Sequence, residues 1–150
     1  MLTLRGHMGI GHVRYPTAGS EDRELSQPMY VNSPYGISIS HNGNLTNRDE
    51  LAKTLVNENL RHLNTDSDSE VLLNVFAHEL QKRGSIKPSA DDIFSAVRST
   101  HKRLRGAYSV AIMINGIGVV GFRDPYGIRP LIMGSKENDL LGKDYMVASE

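Results

Sequence analysis

Two periods run through the apolar positions of this chain, a strand-like alternation toward both ends and a helical spacing in the middle. Residues 8–14 alternate crudely around Ile10 and Val13 and read as a strand. Residues 15–28 contain Pro16, Gly19, Ser20 and the charged run Glu21-Asp22-Arg23-Glu24, the composition of a loop. Short strands are expected at 29–31 and 37–41, on either side of the turn-forming stretch Asn32-Ser33-Pro34-Tyr35-Gly36. Asn42-Gly43-Asn44 follows as a further sharp turn.

The helical spacing begins next. Residues 47–60 carry an apolar stripe at Leu51, Leu55 and Leu60, with Asn47 and Glu50 in the outline of a capping box. A second helix should start near Ser67, which forms a fuller box with Glu70, and its stripe is Val71, Leu72, Val75, Phe76 and Leu80. Gly84 stands where a helix-ending glycine belongs. A third helix is expected over 89–105, with Ile93, Phe94, Val97 and Leu104 inward and Gly106 at its end. Apolar runs at 107–114 and 117–123 then meet at Asn115-Gly116, a strong hairpin signal. Residues 131–134 and 145–149 read as further strands. Strands, then helices, then strands point to an α+β fold with mostly antiparallel sheets.

Composition removes several possibilities. Lys and Arg number 17 and Asp and Glu number 17, so zero net charge gives no reason to expect a nucleic-acid or membrane-surface partner. There is no cysteine, which excludes a disulfide framework, a zinc–thiolate site and a cysteine nucleophile supplied by these residues. The first residues lack the apolar core of a secretion signal, and the most apolar stretch, 107–122, is interrupted by Asn115, Gly116, Gly118 and Gly121. A cytoplasmic protein is the expectation. The chain stops in what reads as a strand in progress, 145–150, so we expect a fragment of a longer domain.

Most familiar sites are missing. Gly9-Ile10-Gly11 lacks the third glycine of a dinucleotide fingerprint, and Gly142-Lys143 lacks the rest of a phosphate loop. The six histidines have no i, i+4 pairing, so no metal site is expected. Lys102-Arg103-Leu104-Arg105 sits at a helix end, where cations favour the macrodipole.

Three segments can carry chemistry. Arg14, at a strand end before Tyr15-Pro16-Thr17, either grips a ligand carboxylate bidentately with help from the Thr17 hydroxyl, or pairs with a surface acid. Asn42 and Gly43 either make an ordinary turn or offer a side-chain and a backbone N–H to an oxyanion. Asp66-Ser67-Asp68-Ser69-Glu70 lacks the glycine of a calcium loop. It reads either as an acidic helix start with a capping serine, or as a functional segment in which Asp68 is free to accept from a ligand ammonium. An arginine for a carboxylate, an aspartate for an amine and an oxyanion hole together describe a site for an α-amino acid with a reactive carbonyl.

Five segments carry a resemblance. They are Gly9-Ile10-Gly11-His12-Val13-Arg14-Tyr15-Pro16-Thr17-Ala18-Gly19, Gln27-Pro28-Met29-Tyr30-Val31-Asn32-Ser33-Pro34-Tyr35-Gly36, His41-Asn42-Gly43-Asn44-Leu45-Thr46-Asn47, Asn64-Thr65-Asp66-Ser67-Asp68-Ser69-Glu70 and Phe122-Arg123-Asp124-Pro125-Tyr126-Gly127-Ile128-Arg129-Pro130-Leu131. Together they resemble the glutaminase domain of the amidophosphoribosyltransferase family, along essentially the whole chain. The resemblance implies a four-layer α-β-β-α sandwich of the N-terminal-nucleophile hydrolase type, here incomplete at both ends. It implies that Arg14 binds the glutamine α-carboxylate, Asp68 its α-amino group, and Asn42 with Gly43 the oxyanion, while Thr17 lines the pocket. It also implies a second, phosphoribosyltransferase domain with its own Mg, outside this segment, and an oligomeric full-length enzyme. No cofactor is expected in the segment itself.

The departure from the family is the nucleophile. The resemblance places an N-terminal cysteine and its following segment before Arg14, and neither is in this sequence. We therefore expect residues 1–150 to be a partial glutaminase domain that is inactive by itself. The alternatives are a nucleophile-free amino-acid-binding module, or another class II amidotransferase such as glucosamine-6-phosphate synthase.

Overall fold

The computed structural model describes residues 6–13, 25–138 and 142–150. Its order is β1 (Met29–Val31), β2 (Ile37–Leu45), α1 (Arg48–Asn57), α2 (Asp68–Gln81), α3 (Ala90–Arg103), β3 (Gly106–Ile114), β4 (Gly118–Arg123), β5 (Ile132–Asn138) and β6 (Gly142–Ala148). Strands β1 to β4 form one antiparallel sheet in that spatial order, and β5 pairs with β6 in a separate antiparallel ribbon. The expected α+β class with antiparallel sheets is what forms.

Alternation along β2 and β3 sorts the central sheet into two faces. Ile37, Ile39, His41 and Leu45 share a face with Tyr108, Val110, Ile112 and Ile114, and all are buried. This face receives the helices, above all α2, whose Val71, Leu72, Val75, Phe76 and Leu80 are fully enclosed. The opposite face carries the small and polar positions Ser38, Ser40, Asn42, Ser109, Ala111 and Gly121. The ribbon packs on that side: a Cβ added at Gly121 would lie 2.5 Å from Val147 Cγ1 of β6. Helices, sheet and ribbon thus make three layers among the described residues.

Several local expectations change. Residues 8–13 form no strand among the described residues. Asn42-Gly43-Asn44 is no turn. Strand β2 runs on to Leu45, with Asn42 opposite Ser109 and Gly43 opposite Tyr108 on β3. The continuation depends on Gly43, whose φ is +144° and whose missing Cβ would stand 2.1 Å from the Ala107 carbonyl oxygen.

The caps also rearrange. Asn47 makes no side-chain cap on α1; its amide donates to the Arg103 carbonyl and accepts from the Arg105 N–H, fastening α1 to the end of α3. Ser67 caps α2 by accepting from Ser69 N–H, while Glu70 turns back to Asn64 and Thr65. Ser89 and Asp92 form a reciprocal capping box on α3. Phe94, expected inward, is 57% exposed, because α3 turns Ala96, Val97 and Thr100 to the core instead. The Asn115-Gly116 hairpin forms as expected, with Gly116 at φ +71°.

Candidate active site between the sheet and the ribbon

A cavity of about 610 Å³ lies on the polar face of the central sheet. It is walled by Ser40, His41, Asn42 and Gly43 of β2, Ser109, Val110 and Ala111 of β3, residues 11–13, Arg129, Leu131, and residues 147–150. The period-two placement of Ser40 and Asn42 between Ile39, His41 and Gly43 is what turns polar groups toward it. Six buried side-chain polar atoms have no partner among the described residues, and three of them, Ser40 Oγ, Ser109 Oγ and Arg129 Nε, belong to this face or its rim. Buried polar groups are almost always hydrogen-bonded, so orphans gathered at one cavity mark a place built for a polar guest.

Asn42 is held from both ends. Arg129 Nη2 donates to its Oδ1, and its own Nδ2 donates to Ser149 Oγ at 3.3 Å. The amide nitrogen is thereby turned away from the guanidinium, on the cavity side of β2. Gly43 follows directly in the same wall. The expected oxyanion pair therefore sits on a strand, a stiffer support than a turn, and both members line the cavity.

Asp68 lies behind that wall. It opens α2, and its Oδ2 accepts from the Leu45 N–H at 3.0 Å, tying the helix start to the end of β2. Its Oδ1 approaches His41 Nδ1 at 3.8 Å. Asp68 is therefore partly engaged, although a carboxylate keeps further acceptor positions. It does not line the cavity with Asn42 and Gly43. Arg14 and Thr17 lie outside the described residues.

His41 joins the two regions. Its backbone N–H donates to Gln27 Oε1 at 2.6 Å, and Gln27 Nε2 donates to the His41 carbonyl at 3.2 Å and to Ser69 Oγ at 3.1 Å. His41 Nδ1 and Ser69 Oγ are 2.9 Å apart. Burial lowers the His41 pKa; Asp68 pulls it upward, and His12 and Arg129 push it down again. The lowered pKa favours the neutral imidazole, which weakens the ionic character of its approach to Asp68.

Two further groups give the site its support. Burial would raise the Asp124 pKa, but backbone N–H donors from Arg129, Ile128, Tyr108 and Tyr126 overcome this and hold the carboxylate ionised. Glu70 behaves alike: burial opposes its charge, and donors on Asn64 and Thr65 prevail.

Sequence reasoning passed over Arg129, Ser40 and Ser109. The serines were recoverable, since polar positions alternating with buried apolar ones must face away from the helices. Arg129 was visible only as part of the Phe122 to Leu131 motif. Nothing local says that a residue on that turn reaches across β3 to β2.

Among the described residues no group of three or more His, Asp or Glu could hold a metal ion, and no helix is long and apolar enough to cross a membrane.

Residues 12–150 match the family model described as a glutamine amidotransferase domain. The chain is 57% identical over 150 residues to the amidophosphoribosyltransferase of Pseudomonas aeruginosa and 57% identical over 150 residues to that of Escherichia coli. All of this chain is covered in both cases, and it spans 30% of each relative's length. A solved structure of the allosteric regulatory enzyme of purine biosynthesis superimposes with a TM-score of 0.68 at 32% identity, covering 92% of this chain and 27% of that one. The fold is accordingly the α+β sandwich of the N-terminal-nucleophile hydrolases. An antiparallel sheet with a polar inner face, an asparagine on that face followed by a glycine in the same cavity wall, and a family match over nearly the full length of the chain agree: the chain belongs to the glutamine amidotransferase domain family.

Proposed function

We propose that this chain is the glutamine-handling part of a longer amidophosphoribosyltransferase. That enzyme hydrolyses glutamine and passes the ammonia to phosphoribosyl diphosphate, giving 5-phosphoribosylamine at the start of purine synthesis in the cytoplasm. The observation that carries this reading is the Asn42-Gly43 wall of the cavity, where the Asn42 Oδ1 accepts from Arg129 and its Nδ2 lies at the opposite end of the amide.

The chemistry follows from that geometry. A thiolate attacking the glutamine side-chain amide puts negative charge on the amide oxygen, and N–H groups of Asn42 and Gly43 stabilise it. One such donor is typically worth about 10²–10³ in rate. The substrate's α-carboxylate would be gripped by Arg14, with Thr17 beside it, and its ammonium by Asp68, which stands behind the Asn42-Gly43 wall where β2 meets α2. With no cysteine among the 150 residues, the nucleophile is supplied from outside this sequence. The ammonia acceptor site and its Mg likewise belong to a phosphoribosyltransferase domain beyond it, in an oligomeric enzyme. The described residues offer no cluster fit for that metal.

The test is kinetic, in the full-length polypeptide that carries this segment. Asn42→Ala should lower kcat for glutamine hydrolysis about 10²–10³-fold with little change in KM. Asp68→Asn should chiefly raise KM. Undiminished kcat in Asn42→Ala would overturn the reading.

A further inference from the structure

We infer that Arg129 is a positioning residue for the oxyanion hole: it sets which end of the Asn42 amide faces the substrate. The inference rests on the functional reading above for its consequence, but on independent geometry for the positioning itself.

A primary amide has an acceptor end and a donor end, nearly equal in shape, and what surrounds it decides which way it points. Guanidinium is donor-only. Arg129 Nη2 meets Asn42 Oδ1, a contact that only the oxygen end can make. The nitrogen end then points toward Ser149 Oγ and the cavity, the orientation that an oxyanion requires. With the amide reversed, a carbonyl oxygen would face the developing negative charge and oppose the reaction. Ser149 cannot make this choice, because a hydroxyl both donates and accepts.

The rest of the motif explains how Arg129 is delivered. Asp124 is 2% exposed and sits at the end of β4. Its Oδ1 accepts from Tyr126 N–H at 3.1 Å and Ile128 N–H at 3.0 Å, and its Oδ2 from Arg129 N–H at 2.9 Å. Gly127, at φ +66°, lets the turn close with its N–H on the Asp124 carbonyl at 3.0 Å. The chain is thereby folded back at the level of Arg123, Ser109 and Asn42, which lie in one row across β4, β3 and β2. From there the guanidinium crosses β3 to reach Asn42. The same closeness appears in His41, beside Asn42, whose pKa the Arg129 charge helps to depress.

The experiment reads the amide directly and then its consequence. The Asn42 side-chain NH₂ resonance is assigned in the full-length protein by its disappearance in Asn42→Asp. In Arg129→Gln, whose own amide can reverse, the resonance should shift or split into two orientations. In Arg129→Lys, which is again donor-only, it should return toward the wild-type position. In parallel, Arg129→Gln should lower kcat for glutamine hydrolysis about 10- to 100-fold with KM changed less than about threefold, and Arg129→Lys should restore most of it. An Asn42 resonance unmoved in Arg129→Gln overturns the inference. If Arg129→Gln fails to fold, the wild type decides, since two interconverting Asn42 orientations beside an intact Arg129 would overturn it equally. Should Asn42→Ala keep full kcat while the resonance still depends on Arg129, the oxyanion reading fails and the positioning stands.

Discussion

Gly43 decides whether β2 and β3 can lie as they do. At φ +144° its backbone is one that other residues rarely adopt, and a Cβ there would meet the Ala107 carbonyl oxygen at 2.1 Å and Tyr108 Cα at 2.7 Å. Both obstacles are backbone, so no side-chain rotation relieves them. Gly43→Ala should therefore cost about 3 kcal/mol or more, a loss of roughly 5–15 °C in melting temperature. Gly116→Ala is the matched control: its φ is +71°, yet nothing stands within 4 Å of the added carbon, so strain alone costs about 1–2 kcal/mol. Equal losses in the two variants, measured by thermal unfolding, would show that the close approach at Gly43 is unimportant. The residue types at 42 and 43 were legible as oxyanion donors, but their setting was not. Asn-Gly has the chemistry of a turn, and only pairing with a strand more than 60 positions away turns it into sheet.

Among the elements, the segment that follows β4 carries the most consequence for its length. Asp124 gathers N–H groups from Tyr126, Ile128 and Arg129, and more distantly from Tyr108 at 3.4 Å. Asp124→Asn would replace one accepting oxygen with an NH₂ facing donors. The cost should be about 2–3 kcal/mol, together with lost hydrogen-exchange protection at residues 126, 128 and 129. Protection that survives at those three amides would mean the turn is held by something else. The helices and the Asn115-Gly116 hairpin were legible because their signals are local: apolar spacing, a serine before each of α2 and α3, and a glycine in the turn. Boundaries were less so wherever a side chain had a distant claim on it. Asn47 looks like a cap and is instead a clasp on residues 103 and 105. Glu70 looks like the far side of a capping box and instead orders Asn64 and Thr65.

At the scale of the whole molecule, the buried ionisable groups give stability a predictable dependence on pH. Burial lowers the pKa of His41, His78 and His101 below the ordinary 6.5, so each is more easily protonated in the unfolded chain than in the folded one. Their contribution is complete above about pH 6.5 and is lost as pH falls through the lowered folded values. Glu70, Glu79 and Asp124 are also depressed, because their hydrogen-bond donors outweigh the burial that opposes them. Their contribution is present above the ordinary 4.5 and 3.8 and disappears below. Tyr108 acts on the other side. Burial first, and Asp124 second, push its pKa up to about 12 from 10.0, so stability is full below pH 10 and declines as pH rises toward 12. The urea midpoint should thus be flat from about pH 7 to 9, fall in two stages on acidification, and fall again in alkali. His101 Nδ1 lies 2.8 Å from the Tyr108 hydroxyl, with its ring over Tyr108 and edge-on to Phe122, so one substitution reaches both limbs. His101→Gln removes one of the three groups behind the first acid stage and should shrink it, leaving the second stage in place. A midpoint that rose between pH 7 and 5.5 would contradict the sign for all three histidines, because it would require them to bind protons more readily in the folded state.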